Sequence, residues 1–259
     1  MLYKSTRDPS GARYTSAEVV KRGIADDGGL YLPESIPTLA KDEIDKLRHV
    51  PYHERAAHIL TKFLTDYSFE ELLDDCRAAY RPESFPGGPA PLARLDDRLF
   101  SLELWHGPTA AFKDMALQLM PRLLTRALKK TGERRAAHIL VATSGDTGKA
   151  ALEGFRDIDQ TRITVFYPEN GVSLVQKLQM ATQTGGNVDV CAVRGNFDDC
   201  QNGVKQLFSD SELALELDRR GAFLSSANSI NWGRLVPQVV YYVSLYCELQ
   251  NCGALRAGD

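Results

Sequence analysis

The chain has 259 residues, 43% hydrophobic and 25% charged, with a formal net charge of −3. That balance belongs to a globular chain of one large or two ordinary domains. It excludes the basic surplus of a nucleic-acid binder, and no apolar run approaches the roughly 18 residues a membrane-spanning helix needs. The first residues lack the apolar core of a signal peptide, so a cytoplasmic location is expected. The five cysteines are odd in number and form no CxxC, which argues against a disulfide framework and a zinc site. No metal is expected. Cys191 lies in an apolar strand pattern and reads as a small core residue.

Residues 1–90 read as a mostly helical domain. A short helix over Thr15 to Ala25 opens with Thr15 and Glu18 in capping-box spacing. Asp26-Asp27-Gly28-Gly29 is a turn, and Leu30 to Pro33 a short extended piece. Helical patterns follow near Lys41–Arg48, His53–Thr65 and Phe69–Tyr80, the last capped by Ser68 with Glu71. Ala56, Ala57, Leu60, Phe63 and Leu64 recur at helical spacing and should face a core. Residues 81–91 hold four prolines and two glycines, which neither a helix nor a central strand accommodates. A domain boundary is placed there, with an α/β region over 91–259.

Leu92–Leu95 and Leu99–Trp105 flank Asp96-Asp97 as a hairpin. Trp105 to Asp114, WHGPTAAFKD, then turns at Gly107-Pro108 into a helix expected over Met115–Lys130. Beyond it, strands at Ala137–Thr143, Ile163–Tyr167, Val188–Val193 and Ala222–Ser225 alternate with helices at Thr147–Phe155, Ser173–Thr184, Asp198–Phe208 and Asn231–Asn251. Such alternation predicts βαβ units and a parallel sheet.

Ligands of such sheets bind at the carboxyl ends of the strands, so the turns there are the candidate sites. Lys113 stands at the strand-to-helix turn, where the helix dipole disfavours an ammonium and so suits a lysine used in Schiff-base chemistry. Ser144-Gly145-Asp146-Thr147-Gly148 follows the strand AHILVAT and opens a helix. Its glycines admit a close ligand, and its hydroxyls and free amides suit an anion. It is neither a Walker A loop nor a GxGxxG turn, and spacing leaves phosphate and carboxylate both open. Ser225 to Arg234 crowds hydroxyls, the Asn228 and Asn231 amides and the Arg234 guanidinium into another such junction, a set that suits a dianionic phosphate. Asp198 and Asp199, after Asn196, read as helix-starting acids rather than a catalytic pair.

HGPTAAFKD, ATSGDTGKAALEGF, NGVSLVQKLQM, GNFDDCQNGVKQLF and NSINWGRLVPQVVYY together resemble threonine synthase, in that family's order, and KRGIADDGGLYLP is similar to its N-terminal segment. Asp146 in the SGDTG turn is similar to the bacterial and fungal branch. The resemblance implies a tryptophan-synthase-β-like, fold-type II α/β architecture and pyridoxal 5'-phosphate as cofactor. It implies that Lys113 holds the cofactor, with Phe112 beside it. Ser144, Gly145, Asp146 and Thr147 would bind the substrate α-carboxylate. Asn228, Ser229, Asn231 and Arg234 would bind the γ-phosphate of O-phospho-L-homoserine. The implied protein is a monomer or homodimer acting on a small molecule, without nucleic-acid or membrane partners. The glycine-and-asparagine loop that cradles the cofactor phosphate in the family has no counterpart here, so the chain reads as an N-terminal portion. A phospholyase that releases a keto acid, a non-catalytic relative and a plain dehydratase are the rival readings, the last the poorer fit because it would not need the NSIN turn.

Overall fold

The computed structural model describes residues 1–255. In chain order its elements are β1 (Tyr3–Ser5), α1 (Ser16–Arg22), β2 (Tyr31–Pro33), α2 (Lys41–Leu47), α3 (Tyr52–Phe63), α4 (Phe69–Ala79), β3 (Leu92–Arg94), β4 (Phe100–Leu102), α5 (Asp114–Leu117) and α6 (Met120–Lys130). There follow β5 (Ala136–Ala142), α7 (Asp146–Phe155), β6 (Thr161–Pro168), α8 (Leu174–Ala181), β7 (Val188–Val193), α9 (Phe197–Ser209), α10 (Ser211–Arg219), β8 (Ala222–Ser226), α11 (Trp232–Leu235) and α12 (Pro237–Asn251).

The apolar strands assemble as a parallel four-stranded sheet in the order β7-β6-β5-β8. β5, nearly all apolar, takes a central place, with Ala137, Ile139 and Val141 fully buried. β7 is an edge, and Cys191 on it is exposed. The expected core position fails because an edge strand has a partner along one side only.

Capping follows the sequence. Thr15 with Glu18, Ser68 with Glu71, Ser173 with Gln176 and Asn196 with Asp199 all form reciprocal caps, each satisfying amides that a helix start leaves open. Ala56, Ala57, Leu60, Phe63 and Leu64 are buried as their spacing predicts.

Two expected helices are each broken in two. Pro121 lies in the first turn of α6 and Pro237 in the first turn of α12; each lacks the N–H that would continue the preceding helix. The Leu117 carbonyl freed by Pro121 lies against α7, where a Cβ on Gly154 would come within 2.0 Å of it. α5 and α7 therefore cross backbone to backbone. α10, in contrast, is an addition to the expected elements. Leu213, Leu215 and Leu217 alternate like a strand, but Asp210 caps Glu212 and Leu213 at 2.9 Å and starts a helix with no buried residue.

Residues 81–91 are turns, yet Phe85 among them is 1% exposed. The elements on either side share one hydrophobic cluster that runs from Tyr3 to Cys247. Three polar anchors cross it. The Tyr67 hydroxyl donates to the Leu123 carbonyl (3.0 Å), the Tyr80 hydroxyl to that of Met115 (2.7 Å), and buried Arg55 on α3 holds Ser244 and Glu248 of α12. The helical segment thus buttresses α5 and α12, which flank the candidate site. No helix of the described residues is long and apolar enough to cross a membrane.

Candidate active site

The site gathers at the carboxyl ends of the two adjacent strands β5 and β8. Asn228 bridges them, its amide nitrogen reaching the Ala142 carbonyl at 3.5 Å.

Lys113 is the residue before α5. Its place is set by a loop folded onto buried Asp114, whose carboxylate accepts the Thr109 amide and hydroxyl, both at 2.8 Å. A Cβ on Gly107 would overlap the Asp114 side chain at 2.5 Å, so only glycine passes there. Burial pushes the Asp114 carboxyl above the usual carboxylate range, against the opposing Thr109 bonds. The Lys113 Nζ lies 2.8 Å from Asp146 Oδ2 and 4.1 Å from the centre of the Phe112 ring. Sequence reasoning placed Lys113 and Asp146 in separate turns; the structure joins them as an ion pair. Between Phe112 and Asp146 opens a cleft of about 530 Å³, lined also by Leu104, Trp105, Thr109, Gln176 and Gln179.

The SGDTG turn is capped by Thr143, which the sequence did not single out. Its hydroxyl accepts the Gly145 and Gly148 amides at 3.0 and 2.9 Å. Gly145 has φ +150°, and a Cβ on it would strike Gln176 at 2.4 Å. The amides of Ser144, Asp146 and Thr147 make no hydrogen bond among the described residues. They lie at the positive end of α7, the arrangement that binds anions. Asp146 is not the helix cap; its carboxylate faces Lys113.

In the second turn the four singled-out residues divide. Asn231 is fully buried; its nitrogen donates to the Val20 and Ser226 carbonyls (3.1 and 2.9 Å) and its oxygen accepts the Gly233 amide at 2.8 Å. It ties α1 to the turn and caps α11, so its amide has no donor left for the phosphate contact that the resemblance implies. Arg234 is 2% exposed, and its Nε and Nη1 find no partner among the described residues. Desolvation lowers its pKa, opposed by Tyr241, Asp146 and Asp114. The Asn228 Oδ1 is likewise buried and unpaired, while Ser229, before α11, makes no side-chain bond among the described residues. The unsatisfied buried donors of Arg234 are costly and mark a place where an acceptor belongs, whereas the Asn228 Oδ1 is itself an acceptor.

A parallel sheet with a lysine and two polar turns at its strand ends is the architecture of a fold-type II pyridoxal-phosphate enzyme. The comparisons agree. The family profile described as "Threonine synthase N terminus" matches residues 2–80. Threonine synthase of Pseudomonas aeruginosa is 43% identical over 253 residues, 96% of this chain and 51% of that protein. Human threonine synthase-like 1 is 41% identical over 94% of the chain and 34% of its own length. The crystal structure of pyridoxal-phosphate-bound threonine synthase from Brucella melitensis superposes with a TM-score of 0.85 at 41% identity, covering 96% of this chain and 52% of that one. The Escherichia coli enzyme gives 0.83 at 35%, covering 96% and 54%. The chain belongs to the threonine synthase family, and it spans about half the length of the threonine synthases it matches.

Proposed function

We propose that this chain carries the lysine-bearing part of a pyridoxal-phosphate-dependent threonine synthase, which turns O-phospho-L-homoserine and water into L-threonine and phosphate. One observation carries the reading. A lysine amine and two turns with unsatisfied donors meet at the ends of β5 and β8. The residues present fit the aldehyde end of the cofactor: Lys113 offers a primary amine between two residues that line a cleft of about 530 Å³, and the Phe112 ring stands beside it. When bound, the cofactor supplies an electron sink for charge left on the substrate α-carbon.

The chain's own residues do the rest. Lys113 Nζ would hold the cofactor and, once released from it, take the α-proton. The Ser144, Asp146 and Thr147 amides would bind the α-carboxylate at the positive end of α7, with Gly145 admitting it closely. Arg234, Asn228 and Ser229 would hold the γ-phosphate. The Arg234 guanidinium is already desolvated, so a dianion gains more from it than from a hydrated arginine. Asn231 would orient the turn rather than touch the ligand. Trp105, 51% exposed at the cleft, would help to cover the reacting atoms from water. A cytoplasmic location, a monomeric or homodimeric state, the absence of nucleic-acid and membrane partners and a division at residues 81–91 belong to the same proposal.

The test is a visible absorption spectrum of the chain mixed with pyridoxal phosphate, beside Lys113→Ala. A band that depends on Lys113 is the expected result, followed by threonine and phosphate from phosphohomoserine in the complete protein. No Lys113-dependent band in either the chain or the complete protein would sink the reading.

A further inference from the structure

A second cavity lies at the other ends of the helices that carry the candidate active site. α5 and α7 begin beside Lys113 and Gly145. Their far ends, with the start of α6 and the end of α4, wall a space of about 150 Å³, several times the ~30 Å³ that one water occupies in the liquid. Three arginines line it, Arg81, Arg122 and Arg156, together with Ser84, Gln118 and one carboxylate, Glu153. That carboxylate is already engaged. It pairs with Arg156 at 3.1 Å and Lys149 at 3.5 Å and accepts Gln183 at 3.2 Å. The Gln118 Nε2 is buried and has no partner among the described residues.

Arg156 is the C-terminal cap of α7 and Arg81 lies two residues past the end of α4, where the helix dipole favours a cation whatever else is present. Arg122 has no such reason. It stands in the first turn of α6, where the dipole disfavours a cation and where α6 carries no acid. It is half-buried, and its guanidinium makes no hydrogen bond or ion pair among the described residues. Of the acids that share a neighbouring cavity with it, Asp75 is taken by Arg126, and Asp157 and Asp159 make no ion pair with it. A partly desolvated cation at the wrong end of a helix, with no acid at ion-pair distance among the described residues, has room for an anion in the cavity lined by the other two arginines.

We propose that this cavity binds a small tetrahedral oxyanion of the phosphate class, held by Arg122, Arg156, Arg81 and Gln118. Guanidinium forks match paired phosphate oxygens. The anion gives Arg122 its missing partner and Gln118 Nε2 its missing acceptor, and it meets the favourable end of the α6 dipole. The site is separate from Arg234 and does not depend on the reaction proposed above.

The test titrates inorganic phosphate into the full chain, isotope-labelled for amide NMR, in an Arg234→Met background that removes the buried guanidinium of the candidate active site, with the Ser144, Asp146 and Thr147 amides followed separately so that binding at that turn is told apart. Ionic strength is held constant with chloride. Saturable shifts at the Gln118, Gly154 and Ile158 amides are expected, with binding at least tenfold weaker in Arg122→Gln and in Arg156→Gln. The phosphate-free spectra of the variants report whether the fold is intact, and either variant suffices if the other is perturbed. A parallel titration with glycerol phosphate separates the two sources: saturation at the same amides assigns the site to phosphomonoesters as well, and none assigns it to free phosphate. Shifts that do not saturate, that chloride reproduces, or that both arginine variants retain at full affinity would overturn the proposal.

Discussion

Replacing Arg234 by methionine should stabilise the ligand-free chain while removing its capacity to hold a phosphate. Most buried substitutions act in the opposite direction, so the sign is diagnostic. Arg234 is 2% exposed, and two of its nitrogens, Nε and Nη1, are buried without partners among the described residues. An unsatisfied buried donor costs about 1–3 kcal/mol, more when charged. Methionine keeps an unbranched chain in the same space and brings no donor. Attraction to Asp146, Asp114 and Tyr241 offsets part of the cost, but desolvation outweighs it. Even paired buried charges, replaced by apolar groups of similar volume, range from neutral to a gain of about 1–4 kcal/mol. Taking about 1–3 kcal/mol here, at about 2–4 °C per kcal/mol for a chain of this size, Tm should rise by about 2–12 °C. Thermal denaturation in phosphate-free buffer reads this directly, and a phosphomonoester should then raise the wild-type Tm more than that of Arg234→Met. A fall in Tm would mean that the guanidinium is holding the structure together, and the argument that it awaits an anion would fail.

Asn231→Ala should have the opposite effect. It leaves the Val20 and Ser226 carbonyls and the Gly233 amide without their partner in a fully buried place, for a loss of about 3–5 kcal/mol measurable by urea denaturation; a loss under ~1 kcal/mol would contradict the bracing role. Glu133 should contribute an acid limb to stability. The Arg135 guanidinium holds its carboxyl down to about 2 from an ordinary 4.5, so its stabilisation is complete above pH 4.5 and is lost as pH falls toward 2. Stability of the wild type measured against pH should drop through that window, and Arg135→Gln should flatten the drop.

How much of this was legible in the residues depends on the range of the interaction concerned. Caps such as Thr15 with Glu18 span three positions and read straight off the chain. The strands of the sheet read as apolar runs, and once they are parallel, topology alone brings the SGDTG turn and the Ser225–Arg234 turn to the same strand ends; Lys113 follows β4 of the separate β3–β4 hairpin and meets them through Asp146, which the strand pattern does not carry. The prolines that break α6 from α5 and α12 from α11 were visible, but both fall in a first turn, where proline is also compatible with a helix start. α10 was hidden because its leucines alternate, and it buries none of them. Asn231 looked like a ligand because it shares a polar turn with Arg234. What engages it is Val20, 211 positions away, and no local pattern carries that. The contrast between the two side chains in one turn is a contrast of satisfaction: the Asn231 amide has every partner it needs, and the Arg234 Nε and Nη1 have none among the described residues.

The pairing of Lys113 with Asp146 leads to a kinetic expectation. The amine that would hold the cofactor sits 2.8 Å from a carboxylate, and capture of the cofactor requires it to leave. Asp146 is 44% exposed at its side chain, so the pair is screened and contributes about 0.2–1 kcal/mol. Asp146→Asn preserves the size of the side chain and leaves the backbone amides of the turn in place. It should therefore speed capture of pyridoxal phosphate by about 1.5- to 5-fold, the rate equivalent of that energy, as followed by the appearance of the Lys113-dependent absorption band. The alternative is that Asp146 aims the amine rather than parks it. In that case the variant would capture cofactor more slowly, and the carboxylate would be a positioning group for Lys113. The two outcomes have opposite signs, so one stopped-flow comparison of Asp146→Asn with the wild type decides between them.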